Sequence, residues 1–166
     1  MLTRPTLDRT REVFSTSWKA AAACVVPLSS ISLPVRVLGA GSAEPRCGVG
    51  RLIDHYTQQL IRQNATLCGF ADCVEVLRLN SAKALARLQG RKFDYIFADP
   101  PYNKNLVNDT IALIGEYDLL APGGLILMEY SRNEGITESP LYEVIREKSY
   151  GKDTRIAFIR RRQEGV

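Results

Sequence analysis

The sequence has little of what metal centres, disulfide frameworks and membrane anchors require. It contains one histidine, His55, and four cysteines that form no CxxC pair. A zinc site is therefore not expected, and we interpret the cysteines as free thiols of a reducing cytosol. The sequence shows neither a charged start followed by an apolar segment nor an apolar run long enough to span a bilayer. These features predict a cytoplasmic protein that binds no metal and has no membrane partner.

The composition is that of one globular domain. With 166 residues, of which 45% are hydrophobic, the chain can bury one core, and we expect a single domain over residues 1–166. The net charge of +4 and the pI near 9.0 permit a polyanionic partner without requiring one. The basic run 160–162 is more typical of a solvated tail than of an RNA-binding patch. No partner protein is indicated, and a monomer is expected.

The most informative stretch is FDYIFADPPY, residues 93–102. Tyr95–Ala98 is a short apolar run with the β-branched and aromatic content of a buried strand. Pro100 and Pro101 lack an N–H group and have a fixed φ, so the chain must leave the sheet there as a stiff, extended loop. Open α/β sheets bind their ligands at the carboxyl ends of their strands. The loop is therefore predicted to lie at such a ligand site.

The loop offers groups that suit an exocyclic amino group. The carboxylate of Asp99 and the carbonyl of Pro100 are two acceptors held close together, and Tyr102 has a flat ring on which a flipped-out base can stack. The alternative is a proline-rich turn after a core strand, with Asp99 as a turn-capping acid. The complete strand in front of the loop favours the functional interpretation.

Two segments carry a resemblance to known enzymes. FDYIFADPPY resembles motif IV of amino-group methyltransferases that use S-adenosylmethionine, in its Asp-Pro-Pro-Tyr form, and residues 3–12, TRPTLDRTRE, are similar to the N-terminal signature of the RsmD family. That family methylates a guanine N2 in 16S ribosomal RNA. The resemblance implies an α/β fold, a Rossmann-like class I methyltransferase domain with a mostly parallel sheet and a C-terminal antiparallel hairpin. It also implies 16S rRNA or the small-subunit particle as the partner.

The resemblance implies catalytic roles for Asp99, Pro100, Pro101 and Tyr102. A flipped guanine would place N2 between the first two residues, and the nitrogen would attack the sulfonium methyl group in line, with Tyr102 stacked on the base. Arg4 is a candidate contact to the substrate or the cofactor by the same resemblance, and its alternative is a place in a solvated N-terminal arm.

Three residues are candidates for binding S-adenosylmethionine. Asp54 ends a predicted strand, where an acid accepts hydrogen bonds from ribose hydroxyls, and its alternative is a helix cap. Asn80 and Ser81 follow the next predicted strand and cap a helix. The family usually has an acid at the place of Asn80, where it contacts the adenine amino group, and an amide oxygen can accept the same bond.

From residue 52 onward the pattern alternates strands with helices and ends in two strands. Glu129, near the end of one strand, is interpreted as a solvated or capping acid. The predicted strands are the end of a strand at 52–54, then 74–79, 95–98, 125–130, 144–149 and 154–160; the predicted helices are 58–67, 82–88 and 106–117; and residues 119–124 form a turn.

Residues 14–50 are atypical, because neither a helical nor a strand period is sustained there. Val37–Ser42 imitates a strand that enters a nucleotide-binding glycine loop, but residues 44–48 are a poor helix where such a loop should begin one. We therefore expect a frameshifted segment. With permissible codons, residues 30–37 read one base earlier give Leu-Asp-Leu-Phe-Ala-Gly-Thr-Gly, the S-adenosylmethionine loop of the family.

Displaced frames on either side give two further family-like pieces. The same displacement turns residues 14–19 into Phe-Asn-Val-Leu-Glu, which continues the predicted opening helix, and the other frame permits a helix over residues 40–50. The basic N-terminal strand usual in the family is absent before Thr3, so we also expect a truncated start.

Two alternatives to guanine methylation stay open at the level of sequence. An adenine-N6 DNA methyltransferase would use the same four residues of the Asp-Pro-Pro-Tyr loop. A catalytically inactive remnant would retain this loop and lack the loop that binds the cofactor.

Overall fold

The computed structural model describes residues 35–39, 46–51, 74–102 and 104–163, together with helical positions at 59, 62–63 and 66–67. Arg4, Asp54 and the predicted opening helix lie outside these residues. Within the described parts of the chain, no helix is long and apolar enough to cross a membrane. The same parts contain no group of three or more His, Cys, Asp or Glu side chains that could hold a metal ion.

In the part of the chain that the structure describes, seven strands form one sheet, and two helices lie alongside it. The strands are β1 (Val35–Gly39), β2 (Arg46–Arg51), β3 (Val74–Arg78), β4 (Phe93–Ala98), β5 (Leu120–Ser131), β6 (Tyr142–Tyr150) and β7 (Thr154–Arg161). The helices are α1 (Ser81–Arg87) and α2 (Leu106–Glu116). The strand order across the sheet is β3-β2-β1-β4-β5-β7-β6. Strands that are distant in sequence therefore lie side by side at the centre.

The pairing of the strands confirms the α/β fold and the C-terminal hairpin. β2 is parallel to β3, β4 is parallel to β5, and β7 is antiparallel to β5 and β6. Since β1 is antiparallel to both β2 and β4, the strands β2 to β6 all share one direction, and among the described strands only β1 and β7 oppose it. A strand that leads into a nucleotide-binding loop, which residues 37–42 imitate in sequence, would run parallel to β2 and β4. The observed β1 runs antiparallel to both.

The helices form where the sequence predicts them, and they cover one face of the sheet. The N–H of Lys83 donates to Oδ1 of Asn80 over 2.9 Å, so Asn80 caps α1 as expected. In α2 the buried residues Val107, Ile111 and Ile114 recur at helical spacing. α1 and α2 contact each other, and both contribute to the main core. The largest fully buried side chains are Tyr130, Phe93, Leu85, Leu88, Ile96, Ile114, Leu119, Leu120, Ile126, Met128 and Ile159.

The turn predicted at residues 119–124 is an irregularity inside β5. Phe93 pairs with Leu120 but Tyr95 pairs with Leu125, so β5 has extra residues opposite Asp94. Gly123 has φ of 76°, and a Cβ on Gly124 would lie 3.0 Å from the carbonyl oxygens of Ala121 and Asp94. Glycine is needed here because the backbone needs a positive φ and then a close approach.

Candidate active site

The loop from Asp99 to Tyr102 leaves the sheet at the carboxyl end of β4, as the sequence predicts. The last residue of β4, Ala98, pairs with Met128 of β5. The loop therefore starts beside the end of a second parallel strand. Pro100 is buried, whereas Asp99 and Pro101 are partly buried. The two prolines hold a short backbone segment against the edge of the sheet, with its acid next to the strand.

Tyr102 is fastened to two strands through its hydroxyl group. The hydroxyl donates to Oε1 of Glu129, in β5, over 2.6 Å. It also lies 3.3 Å from Oγ1 of Thr154, the first residue of β7. Since a side chain held at its far end loses rotational freedom, these contacts fix the ring at the carboxyl edge of the sheet. The side chain is partly buried.

The environment of Tyr102 keeps its hydroxyl group protonated. Burial raises the pKa of Tyr102 far above its ordinary value of 10.0, the hydrogen bond to Glu129 raises it further, and the hydrogen bond to Thr154 acts in the opposite sense. At neutral pH the group is therefore a hydrogen-bond donor. Tyr102 can orient a ligand through its ring, but it cannot accept a proton as a base.

Glu129 is the residue whose role the sequence interpretation missed. It was expected to be a solvated or capping acid, but it is partly buried and accepts the bond from Tyr102. Its position follows from the parallel register, because the residue after Met128 lies level with the residue after Ala98. An acid inside the otherwise apolar run of β5 was the one signal in the sequence. Thr154 was missed as well, because nothing in its own segment distinguishes it.

The chain between the loop and α2 is fastened to the segment that follows β5. The N–H of Asn105 donates to Oε1 of Glu134 over 3.2 Å. The side chain of Asn108 donates to the carbonyl of Gly135 over 3.0 Å and accepts from the N–H of Thr137 over 2.8 Å. These bonds close one side of the site, because they hold the start of α2 against a second loop at the same edge.

Asn80 and Ser81 lie at the same edge of the sheet as Asp99, but at some distance from it. They follow β3, which is three strand positions away from β4, or about 14 Å at the usual strand spacing. Asn80 is exposed, and its Oδ1 is used by the cap of α1. A carbonyl oxygen has a second lone pair, so Asn80 can still accept a bond from a ligand.

The chain is similar to proteins that carry methyltransferase names. A family model described as Conserved hypothetical protein 95 matches residues 52–159, which is more than half of the chain. The ribosomal RNA small subunit methyltransferase D of Escherichia coli K12 is 29% identical over 153 residues, which cover 90% of this chain and 75% of that protein. The Haemophilus influenzae protein of the same name is 30% identical over 94 residues, covering 56% of this chain and 49% of that protein.

An uncharacterized methylase of Rickettsia prowazekii is 31% identical over 75 residues, or 45% of this chain and 32% of the relative. The chain thus spans half or less of two of these relatives. A solved Escherichia coli protein superposes with a TM-score of 0.57 at 27% identity, covering 66% of this chain and 62% of that one. A Haemophilus influenzae protein provisionally assigned as a methylase gives 0.59 at 24% identity, covering 67% and 63%; this second likeness supports the fold alone.

Proposed function

Because the chain belongs to the RsmD family, the family described as Conserved hypothetical protein 95, we propose that its site serves methyl transfer to ribosomal RNA. The proposed acceptor is the exocyclic N2 of a guanine in 16S rRNA, presented as free RNA or in the small-subunit particle. The proposed methyl donor is S-adenosylmethionine. We propose a monomer that works in the cytoplasm.

The observation that supports this function best is the anchored loop at the end of β4. Asp99 and the carbonyl of Pro100 stand one residue apart on a backbone that two prolines make rigid. Tyr102 has its ring fixed by Glu129 and Thr154. An amino-bearing base needs both features, namely paired acceptors for its two N–H groups and a flat surface that holds its ring in register with them.

The residues of the chain contribute orientation and electrostatics. The carboxylate of Asp99 and the carbonyl of Pro100 accept the two hydrogens of the amino group, which turns the nitrogen lone pair away from them. Tyr102 holds the plane of the base. Asp99 need not be a strong base, because a proton leaves readily from a nitrogen that has become cationic. S-adenosylmethionine would supply an electrophilic methyl group to that nitrogen.

Other site residues remain part of the proposal. Arg4 is proposed as a contact to the RNA, and Asp54, Asn80 and Ser81 as contacts to the cofactor. Among these, Asn80 and Ser81 have support from their place at the carboxyl edge of the sheet. An adenine in DNA could use the same acceptors of the loop, so the test must identify which amino group is bound.

Guanosine and inosine differ by the 2-amino group alone, and this difference tests the proposal without a methyl donor. We expect the chain to bind a short RNA with one unpaired guanine more tightly than the same RNA with inosine. The difference should be about 10- to 100-fold, from the roughly 1.5–3 kcal/mol of a hydrogen bond to a charged group. Fluorescence anisotropy at fixed salt measures it. A DNA pair that carries adenine or purine at the same place tests the adenine alternative.

Two variants and one control assign the effect to the loop. Asp99→Ala should remove the preference for guanosine, and Tyr102→Ala should weaken both RNAs by a stacking energy of about 1–3 kcal/mol. Asp153→Ala removes an equal charge from the exposed turn between β6 and β7, and it should change neither affinity. Equal binding of the two RNAs by the unmodified chain would refute the proposal. A preference for adenine over purine in DNA would assign the loop to the other amino group.

A further inference from the structure

Most of the ion pairs between described residues lie at one edge of the sheet. Here β4, β5 and β6 begin and β7 ends, since β7 runs against the other three; we call it the amino edge. Four pairs lie there: Arg91–Glu75, Lys92–Asp118, Arg160–Glu143 and Arg161–Asp118. A fifth, Arg155–Glu147, lies within the C-terminal hairpin. Acids therefore neutralise much of the positive charge at the amino edge.

The opposite, carboxyl edge carries cations without such partners. Lys104 lies two residues after the Asp-Pro-Pro-Tyr loop, and Arg132 directly follows β5. Both are exposed, and neither side chain forms an ion pair or a hydrogen bond with another described residue. Lys152 is also exposed at this edge, but it shares its turn with Asp153, so that turn has no net charge. Lys104 and Arg132 are therefore available to an anion outside the chain.

Lys104 and Arg132 stand on two loops that hydrogen bonds fasten in place. Asn105 directly follows Lys104, and its N–H donates to Oε1 of Glu134 over 3.2 Å. Glu134 lies two residues after Arg132 in the second loop. The N–H of Arg132 donates to the carbonyl of Asp153 over 2.8 Å. The two cations thus project from backbone that is tied to its neighbours.

Both cations lie close in the chain to the contact that fixes the ring of Tyr102. Lys104 is two residues from Tyr102, and Arg132 is three residues from Glu129, which accepts the bond from the tyrosine hydroxyl. An extended chain spans at most about 3.6 Å per residue, so the Cα atom of each cation lies within about 11 Å of one residue of that contact. A nucleotide whose base lies against Tyr102 has its own phosphate groups within reach of these long side chains.

We infer that Lys104 and Arg132 bind the RNA backbone, at the phosphate groups that flank the nucleotide whose base occupies the Asp-Pro-Pro-Tyr loop. The inference rests on the proposed function for the identity of the ligand. Phosphate contacts fix the position of a nucleic acid without reading its sequence, and their binding energy offsets the cost of unstacking a base. The acceptors of the loop read the amino group, and the two cations hold the strand.

The basic run 160–162 is a poorer contact for the RNA strand on the same grounds. Six residues of β7 separate Arg160 from Thr154, which lies beside Tyr102, and this is about 20 Å along the sheet. Arg160 and Arg161 also have acids as partners, so a phosphate group there would meet a charge that is already compensated. The densest positive charge in the sequence is therefore not the surface that we assign to RNA.

The salt dependence of RNA binding tests this inference on the full chain. The probe is the short RNA with one unpaired guanine, titrated by fluorescence anisotropy between about 50 and 200 mM salt. Each phosphate contact to a single strand contributes about 0.7 to the slope of log affinity against log salt concentration. Lys104→Ala and Arg132→Ala should each make this slope shallower by about 0.7, and the double variant by about 1.4. The inosine RNA should weaken by the same factor, because both RNAs have the same phosphates.

Arg160→Ala is the matched control, because it also removes one exposed cation, and it should leave the slope unchanged. An equal change of slope in this control, or an unchanged slope in both loop variants, would overturn the inference. A loss confined to the guanosine RNA would overturn it as well, since that result indicates a contact to the base. The preference of the unmodified chain for guanosine over inosine tests the proposed function separately. That preference with unchanged slopes refutes only the inference, whereas equal binding with shallower slopes refutes only the proposed function.

Discussion

The strands β3 to β7, which form the first region, and the strands β1 and β2, which form the second, belong to the same sheet, but they agree with the sequence-based prediction to different degrees. In the first region, every predicted strand is present in the structure and the C-terminal hairpin is formed by β6 and β7, although β5 begins at Leu120, inside the predicted turn. In the second, β1 takes the central place between β2 and β4, but in the reverse direction. The comparison separates two properties of a strand. Its place depends on its capacity to pair, whereas its direction depends on the links at its ends.

Three links in this molecule illustrate the second dependence. About twenty residues that include α2 join β4 to β5, and these strands are parallel. Residues 151–153 join β6 to β7, and residues 40–45 join β1 to β2, and both pairs are antiparallel. A strand of suitable composition can thus enter the centre of a sheet without delivering its following loop to the edge where ligands bind.

The largest expected effect tests whether a packed core explains why the first region folds as its sequence predicts. Ile96, at the centre of β4, has no exposed surface. Ile96→Ala should lower the free energy of unfolding by about 2–5 kcal/mol, since it removes buried methyl groups and leaves a cavity. Urea unfolding followed by circular dichroism measures the change.

Ile145→Ala is the matched control for that variant. Ile145 is 46% exposed and lies at the register shift between β6 and β7. Its truncation should change the free energy of unfolding by about 0.5 kcal/mol or less, as is usual for exposed positions. If both variants lower the free energy of unfolding by the same amount, the core around β4 does not explain why the first region folds as its sequence predicts.

The sequence predicted most of the first region because the deciding signals are local. Each of these signals affects the backbone only a few residues away. They are the prolines after Ala98, the helix cap at Asn80 and the glycines at 123 and 124. The role of Glu129 depends on its hydrogen bond with Tyr102, which is close in space but 27 positions away in the chain. Such a pairing is set by register, which the pattern of one strand does not contain.

The failure at β1 has a different physical origin. Residues 37–42 carry a local signal for a strand and a glycine turn, and the strand is present in the structure. What the local signal could not give was direction, which follows from the position of β2 at Arg46–Arg51, ahead of the strand end expected at residues 52–54. The absence of a helix pattern in residues 44–48 was the relevant evidence, because without a helix the link is too short for a crossover.

A smaller expected effect sharpens the account of the hairpin in the first region. Tyr130, on β5, is buried and donates a hydrogen bond to Glu147 of β6. Burial and the nearby carboxylate raise the pKa of Tyr130 from 10.0 to about 12. Below pH 10 the tyrosine is protonated in both the folded and the unfolded chain. Between pH 10 and pH 12 only the unfolded chain ionises there, so the stability should fall as the pH rises, by on the order of 2 kcal/mol.

Tyr130→Phe measures how much of this pH dependence of the stability comes from Tyr130. The variant cannot ionise at that position, so the difference in unfolding free energy between the unmodified chain and the variant should shrink from pH 9 to pH 12. Tyr102 and Tyr142 also have raised pKa values and contribute in the same direction in both proteins. A difference that stays constant over this range would mean that the hairpin does not bury Tyr130 against β6.

The smallest expected effect concerns the ion pairs of Asp118, which join three elements of the first region. Asp118 follows α2 and pairs with Lys92, just before β4, and with Arg161, at the end of β7. These partners lower the pKa of its carboxyl group, the Lys92 hydrogen bond most strongly. The side chain is 56% exposed, so solvent screens both pairs. Asp118→Asn should therefore cost at most about 1 kcal/mol of unfolding free energy.

Asparagine tolerates the positive φ of 50° at this position, so the variant removes the charge without straining the backbone. The loss should disappear in about 1 M salt, where the Debye length is near 3 Å. A larger loss that persists in salt would mean that Asp118 fixes the relative position of the three elements by hydrogen bonding, and that the first region depends on this tie as well as on its core.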